Sequence, residues 1–372
     1  MRILIDKALS WGYVLLPLAA PHHRWDGLVF GRPSAKGKES RPCSSGGRGS
    51  TRMSYEGSSG PTLAGGQCDR EAVATETRFR RDRGMPVASR GSNAASQCDP
   101  YPVVGRSKSW ESGMLLLMSS RPLVLVPGAC LGGWAWRDVA HQLRALGHDV
   151  YPVTLTGLGD RAHLADESGD LDTHIADVIG VLDYEDLSDV VLVGHSYAGL
   201  VVAGAADRRP ERLDAVVYLD CSPLPDGMSI SDVQSPEERE AQRSAVESDG
   251  DGWCWPVPDR GTLETGQFGS TAGLTDEHFA AIAERGTPQP YATFTSPLRL
   301  EHKRPPGVRS SVIFCAAGGI TVAAVRELIA QRDPRAVPFA DPDWDLRELP
   351  TGHWAMFSAP DRVAETLHDI AG

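Results

Sequence analysis

Val190-Val191-Leu192-Val193-Gly194-His195-Ser196-Tyr197-Ala198-Gly199 is the stretch whose reading decides the fold. Its four leading apolar residues have the continuous pattern of a strand buried on both faces. Gly194 and Ala198 then bracket Ser196, and small apolar residues continue to Val202. That order predicts a strand, a sharp turn and a helix. The turn reads G-x-S-x-A, one methyl group from the G-x-S-x-G elbow in which a strained bend lifts a serine hydroxyl above the end of a sheet. Small residues on either side of the serine let helix and strand approach closely enough for that bend. The same pattern also occurs as a glycine-bounded turn with an incidental serine, so the surrounding elements decide.

Upstream, Leu123-Val124-Leu125-Val126 is a second continuous apolar run, ended by Pro127-Gly128-Ala129-Cys130-Leu131-Gly132-Gly133. Trp136, Val139, Ala140, Leu143 and Leu146 follow at helical spacing, and Gly147 stops them. Asp149 to Leu155 predicts the next strand, and Asp172 to Leu182 a helix capped by Asp172 or Thr173. Beyond the elbow, Leu213 to Leu219 reads as another strand. Strands alternating with helices predict an α/β fold with a mostly parallel, doubly wound sheet.

The alternation stops at Asp220. Residues 221 to about 308 are rich in Pro, Gly, Asp and Glu, with short helical pieces at Pro236 to Val246 and Thr275 to Ala283. An insertion at the carboxyl end of a strand overlies the ligand crevice of such a sheet, so this one is expected to be a cap that shapes a pocket. Trp253, Trp255, Phe268, Tyr291 and Phe294 are its candidate lining. The pattern resumes with a strand at Ser311 to Ala316, a helix at Thr321 to Ile329, a strand at Leu346 to Leu349 and a final helix after Pro360. His353 falls between the last two.

At 372 residues the chain suits one large α/β domain, expected over 119–372, plus an extension over 1–118. From His22 to Gly113 the extension is Gly, Ser, Arg and Pro without periodicity, a composition that buries too little apolar surface to offset its ordering entropy. It is expected to be dispensable, with Met114 and Met118, just before the first strong strand, as candidate functional starts. Charge divides with it: residues 1–113 hold 17 Lys+Arg against 10 Asp+Glu, and the remainder 20 against 39. An acidic body gives no footprint for nucleic acid. The seven cysteines stand singly, without a C-x-x-C pair, so neither a metal site nor a disulfide framework is expected. No apolar run reaches the ~18 residues of a membrane span. Ala8 to Ala20 is a poor leader candidate, with Asp6 among its leading residues, so a cytoplasmic location without membrane association is expected.

A serine hydroxyl is a weak nucleophile until a base takes its proton, and that base needs a third group to fix its tautomer. His353, in Gly352-His353-Trp354, follows the last strand and fits the chain order serine, acid, histidine. His195 lies inside the elbow and is expected to be structural, its ring turned away from the serine. Candidate acids are Asp220, which ends a strand directly, and Asp341, Asp343 and Asp345; Asp226 reads as a turn or cap. Acyl transfer also needs donors aimed at the developing oxyanion. Tyr197 offers a free amide at a helix start, and the Pro127-Gly128-Ala129 loop brings Ala129 or Cys130 near the serine.

Together VPGACLGGWAW (Val126 to Trp136), TLTGLGDRAHL (Thr154 to Leu164), DTHIADV (Asp172 to Val178), GHSYAG, VVYLD (Val216 to Asp220) and GHWAM resemble the α/β-hydrolase fold. More narrowly, they resemble bacterial esterases akin to pyrethroid hydrolase, and the plant methylesterase and hydroxynitrile lyase group. The resemblance covers about Pro122 to Ala371 and departs at three points. Proline replaces a histidine often found before the oxyanion-loop glycine, Ala198 replaces glycine, and the usual acid position after the penultimate strand, in Phe314 to Ile320, holds no carboxylate. Some members carry the acid where Asp220 stands, which favours Asp220. The lyases place a lysine after the catalytic histidine, where this chain has Trp354.

The resemblance implies a serine hydrolase for a small-molecule carboxylic ester, with no cofactor: Ser196 as nucleophile, His353 as base, Asp220 as acid, and Ala129 and Tyr197 at the oxyanion hole. The alternatives are a binding protein that keeps the elbow without turnover, and a thioesterase or accessory enzyme of secondary metabolism. Substrate identity and oligomeric state are not encoded legibly.

Overall fold

The computed structural model describes residues 120–372 other than 303. The extension expected over 1–118 lies outside the described residues, as do the leader candidate, Met114 and Met118.

Six strands form one sheet in the order β2-β1-β3-β4-β7-β8: β1 Leu123–Val126, β2 Val150–Pro152, β3 Val190–His195, β4 Leu213–Leu219, β7 Arg309–Cys315 and β8 Trp344–Leu349. Every neighbouring pair in it is parallel. The strand residues alternate between two cores, as the period of two requires. Leu123, Leu125, Val191 and Val193 face one side, where the helices Arg137–Ala145 and Pro360–Ala371 supply Val139, Leu143, Val363 and Leu367. Val124, Val126, Val190 and Leu192 face the other, covered by Leu171–Tyr184 and Ala198–Arg208. This is the doubly wound α/β sheet expected from the sequence.

Boundaries differ locally. The segment whose helical spacing begins at Trp136 is preceded by a 3-10 turn, Gly133–Trp136, and the α-helix proper starts at Arg137. A Cβ on Gly133 would stand 3.1 Å from the Pro152 carbonyl, so the chain here is pressed against the edge strand. Asp170, one turn-start earlier than Asp172, caps the next helix by accepting the Thr173 amide.

The stretch between β4 and β7 holds five helices, Ile230–Val233, Pro236–Asp249, Arg260–Glu264, Asp276–Arg285 and Ala292–Thr295. It also holds a two-stranded antiparallel ribbon, β5 Cys254–Trp255 with β6 Gln289–Pro290. Local capping starts most of these helices: Ser235 accepts the Glu238 amide, Asp259 that of Thr262, and Thr275 that of His278. Strand order reverses direction between β1 and β3, and an open α/β sheet offers its ligand crevice at that switch point. The loops after both strands, Pro127 to Gly133 and the Ser196 turn, meet there.

Candidate active site

Ser196 follows β3 directly and carries φ 54°, a left-handed conformation that a non-glycine residue adopts at a cost. The bend is built by close packing. A Cβ at Gly194 would lie 2.7 Å from the Ala198 carbonyl and from Val202, so glycine is required there, whereas the Ala198 methyl is fully buried without displacing the helix. A Cβ at Gly128 would sit 2.7 Å from His195 Nδ1 and 3.0 Å from Ser196 Cβ, which is the close backbone approach its loop needs. Cys130 and Asp220, which flank the serine on neighbouring strand ends, also have positive φ, 62° and 49°.

His353 reaches the same place from the loop after β8. Its Nδ1 lies 2.6 Å from Asp220 Oδ2, and Asp220 Oδ1 accepts the Cys315 amide at 2.8 Å. An ionised carboxylate only accepts, so Nδ1 carries the proton and Nε2 keeps its lone pair. Ser196, His353 and Asp220 line one cavity of about 160 Å³ together with Ala129 and Tyr197. No hydrogen bond joins the Ser196 hydroxyl to His353 among the described residues.

The rival acids are elsewhere. Asp341 and Asp343 precede β8 and Asp345 lies at its start, at the end of the sheet away from Ser196. Asp341 pairs with Arg304, and Asp345 with Arg347 at 2.7 Å. Asp226 accepts the Leu300 amide at 3.0 Å and ties two cap loops, in keeping with its reading as a turn residue.

In the loop after β1 the two candidate amides, Ala129 and Cys130, differ in their partners. Gln289 Oε1 accepts the Cys130 amide at 3.0 Å, and the Thr287 amide donates to the Cys130 carbonyl at 3.0 Å. Both polar groups of Cys130 are therefore held by the cap. The Ala129 and Tyr197 amides donate to no protein acceptor among the described residues.

His195, expected to be structural, lies with its ring against His353, centroids 4.6 Å apart, and its Nε2 donates to the His353 carbonyl at 2.9 Å. Burial, then repulsion from His353, holds its imidazole well below the usual 6.5. It is a neutral brace under the histidine loop. His174 is similar: Nε2 donates to the Thr156 carbonyl at 2.9 Å, so Nδ1 accepts the Tyr197 hydroxyl at 2.9 Å, and burial lowers its proton affinity. Burial also pushes the Cys130, Cys221 and Cys315 thiols upward.

Sequence reasoning missed how far the cap supports this geometry. The His353 amide donates to the Ser270 carbonyl at 2.7 Å, and the Gly352 amide to Ala272 at 3.1 Å. A Cβ on Gly269, whose φ is 104°, would lie 2.6 Å from His353 Cβ. No local signal marks Ser270, Thr287 or Gln289, because each acts across a long sequence separation. Of the candidate aromatics, Trp255, Phe268 and Phe294 line the cavity, while Trp253 and Tyr291 join each other through a 2.7 Å backbone bond within the cap. Among the described residues no group of three or more His, Cys, Asp or Glu side chains could hold a metal ion, and no helix is long and apolar enough to cross a membrane.

Fold and site together define an α/β protein with a strained serine at the switch point of a parallel sheet. A family model described as the alpha/beta hydrolase family matches residues 123–366, and the chain belongs to that family. Among curated proteins, the carbendazim hydrolyzing esterase of Nocardioides sp. (strain SG-4G) is 35% identical over 255 residues, 66% of this chain and 97% of that one. Methylesterase 7 of Arabidopsis thaliana is 26% identical over 268 residues, 68% and 97% respectively. An extracellular alpha/beta-hydrolase from a Paenibacillus species shares the fold, with a TM-score of 0.54 at 19% identity over 67% of this chain and 98% of that chain.

Proposed function

We propose that this chain, a carboxylic ester hydrolase by its family and relatives, works through a serine acyl-enzyme. Ser196 attacks the ester carbonyl while His353 Nε2 takes the hydroxyl proton, and Asp220 holds the resulting imidazolium. The oxyanion is met by the Ala129 and Tyr197 amides. His353 returns the proton to the leaving alcohol, and water activated by the same nitrogen then frees the acid. The observation that carries this reading is the 2.6 Å bond from Asp220 to His353 Nδ1, because it leaves Nε2 basic within the cavity that Ser196 lines. It also favours turnover over a binding protein that has lost catalysis, in which no carboxylate need be engaged.

The substrate is a small-molecule ester that enters beneath the cap. An ester panel of graded acyl and alcohol size, run with the protein and its Ser196→Ala variant, tests the reading. Turnover by the first and none by the second supports it; none by either moves the assignment to ligand binding, and equal turnover removes Ser196 as the nucleophile.

A further inference from the structure

The motifs TLTGLGDRAHL (Thr154 to Leu164) and DTHIADV (Asp172 to Val178) supply no residue to the cavity that Ser196 lines. They are tied to each other instead, and through each other to Tyr197. Asp177 Oδ2 accepts the Thr156 amide at 2.6 Å and its Oδ1 the Thr156 hydroxyl at 2.9 Å. The Arg161 guanidinium stands 2.9 Å from the same carboxylate and donates to the Thr154 carbonyl at 3.0 Å. The Thr156 carbonyl, fixed in this way, accepts His174 Nε2–H at 2.9 Å, which leaves Nδ1 to accept the Tyr197 hydroxyl at 2.9 Å.

His174 is wholly buried and Tyr197 nearly so. The Tyr197 ring lies edge-on to His174, centroids 5.8 Å apart, and 5.5 Å from Phe294; its hydroxyl also meets the Thr293 side chain. A phenylalanine would fill the same space without burying a hydroxyl. Apolar packing tolerates several ring positions, whereas a fully paired polar chain in a buried setting specifies one.

What that one position governs is the backbone of Tyr197. Its amide donates to no protein acceptor among the described residues, so its direction depends on what holds the rest of the residue. Ser196 beside it sits at φ 54°, a strained conformation that a turn left unheld can relax. Holding the phenol end of Tyr197 resists that relaxation.

We propose that Arg161, Asp177, Thr156 and His174 form a buried strut that, through the Tyr197 hydroxyl, keeps the Tyr197 amide aimed at the oxyanion, with His174 as the positioning residue in direct contact. The inference rests on the ester-hydrolase reading of Ser196 and gives that site a support outside its cavity.

The test compares a trifluoromethyl ketone with the methyl ketone of the same chain length. When Ser196 Oγ adds to the activated carbonyl, a carbon–oxygen bond forms, the carbonyl π pair moves to oxygen and the serine proton passes to His353. The trifluoromethyl ketone therefore loads the oxyanion donors, while the methyl ketone reads binding alone. Tyr197→Phe deletes only the hydroxyl. In it the ratio of the two inhibition constants is expected to shrink by about tenfold, and kcat on p-nitrophenyl butanoate to fall with it at little change in KM. His174→Leu shrinks the ratio too, and the double variant shrinks it no further than Tyr197→Phe, because both substitutions cut one link. A full ratio in folded Tyr197→Phe, even with a lowered melting temperature, overturns the strut, as do losses that add in the double variant. Should His174→Leu not fold, Tyr197→Phe decides alone. Failure of the hydrolase reading looks different: the unaltered protein then binds both ketones alike and turns over no p-nitrophenyl ester faster than Ser196→Ala.

Discussion

Asp220 Oδ2 accepts the His353 Nδ1 proton at 2.6 Å from the end of the strand that pairs with the one carrying Ser196. Ser196 and Asp220 thus sit on adjacent strand ends, and His353 reaches them from the loop after β8 at the sheet edge. Asp220→Asn lets the amide nitrogen face Nδ1 and select the wrong tautomer, with kcat expected to fall by roughly 10³–10⁴-fold. The Cys315 amide keeps an acceptor, so the melting temperature is expected to hold. Near-normal turnover by a folded variant would remove Asp220 from the mechanism, whereas Asp341→Asn is expected to leave kcat unchanged.

Gln289→Leu removes the acceptor of the Cys130 amide and frees a left-handed residue beside the oxyanion position. The Ala129 amide then loses its aim. Misplaced donors act on the transition state more than on bound substrate, so kcat is expected to drop by about tenfold or more with KM little changed. Steady-state kinetics on a p-nitrophenyl ester reads the split; a rise in KM alone would assign Gln289 to substrate binding instead.

Most of the fold was legible because its signals are local. Each of β1, β3, β4 and β7 contains an unbroken apolar run, and the helices that cover them announce themselves by periodicity. Candidate site residues could be named because Ser196, Asp220 and His353 each follow a strand. What a strand-end position does not reveal is how it is braced. Gln289 and Cys130 lie 159 residues apart, and His195 and His353 158 apart. The choice between the Ala129 and Cys130 amides depends on the first of these pairs, and the orientation of the His195 ring on the second. The cap, read from sequence as a pocket cover, also holds the loops that carry His353 and Cys130.

Gly269→Ala tests that bracing from the other side. Its φ of 104° suits glycine alone, and the added methyl would press on His353. Strain and displacement together are expected to cost roughly 1–3 kcal/mol and to lower kcat as His353 shifts. Melting temperature and kcat measured on one preparation check this; an unchanged kcat would mean that the cap loop does not govern the histidine.

The two buried imidazoles give stability a pH dependence. Burial, and for His195 also the neighbouring His353, holds His174 and His195 below the usual 6.5. Both take up a proton less readily in the folded chain than in the unfolded one. Stability present above pH 6.5 is therefore lost as pH falls below it, with a slope approaching about 1.4 kcal/mol per pH unit for each histidine. Urea midpoints followed from neutral to mildly acidic pH are expected to fall less steeply in His195→Gln than in the unaltered protein. Identical slopes would mean that His195 does not remain neutral.

The most direct measurement of the central claim is intact-mass analysis after reaction with a p-nitrophenyl phosphonate ester. Attack by the activated serine forms a phosphorus–oxygen bond and expels one p-nitrophenolate per site. The account predicts a single adduct per chain, stoichiometric with the released chromophore, mapping to the peptide that contains Ser196 and absent from Ser196→Ala. An adduct on another residue, or equal labelling of the variant, would contradict it.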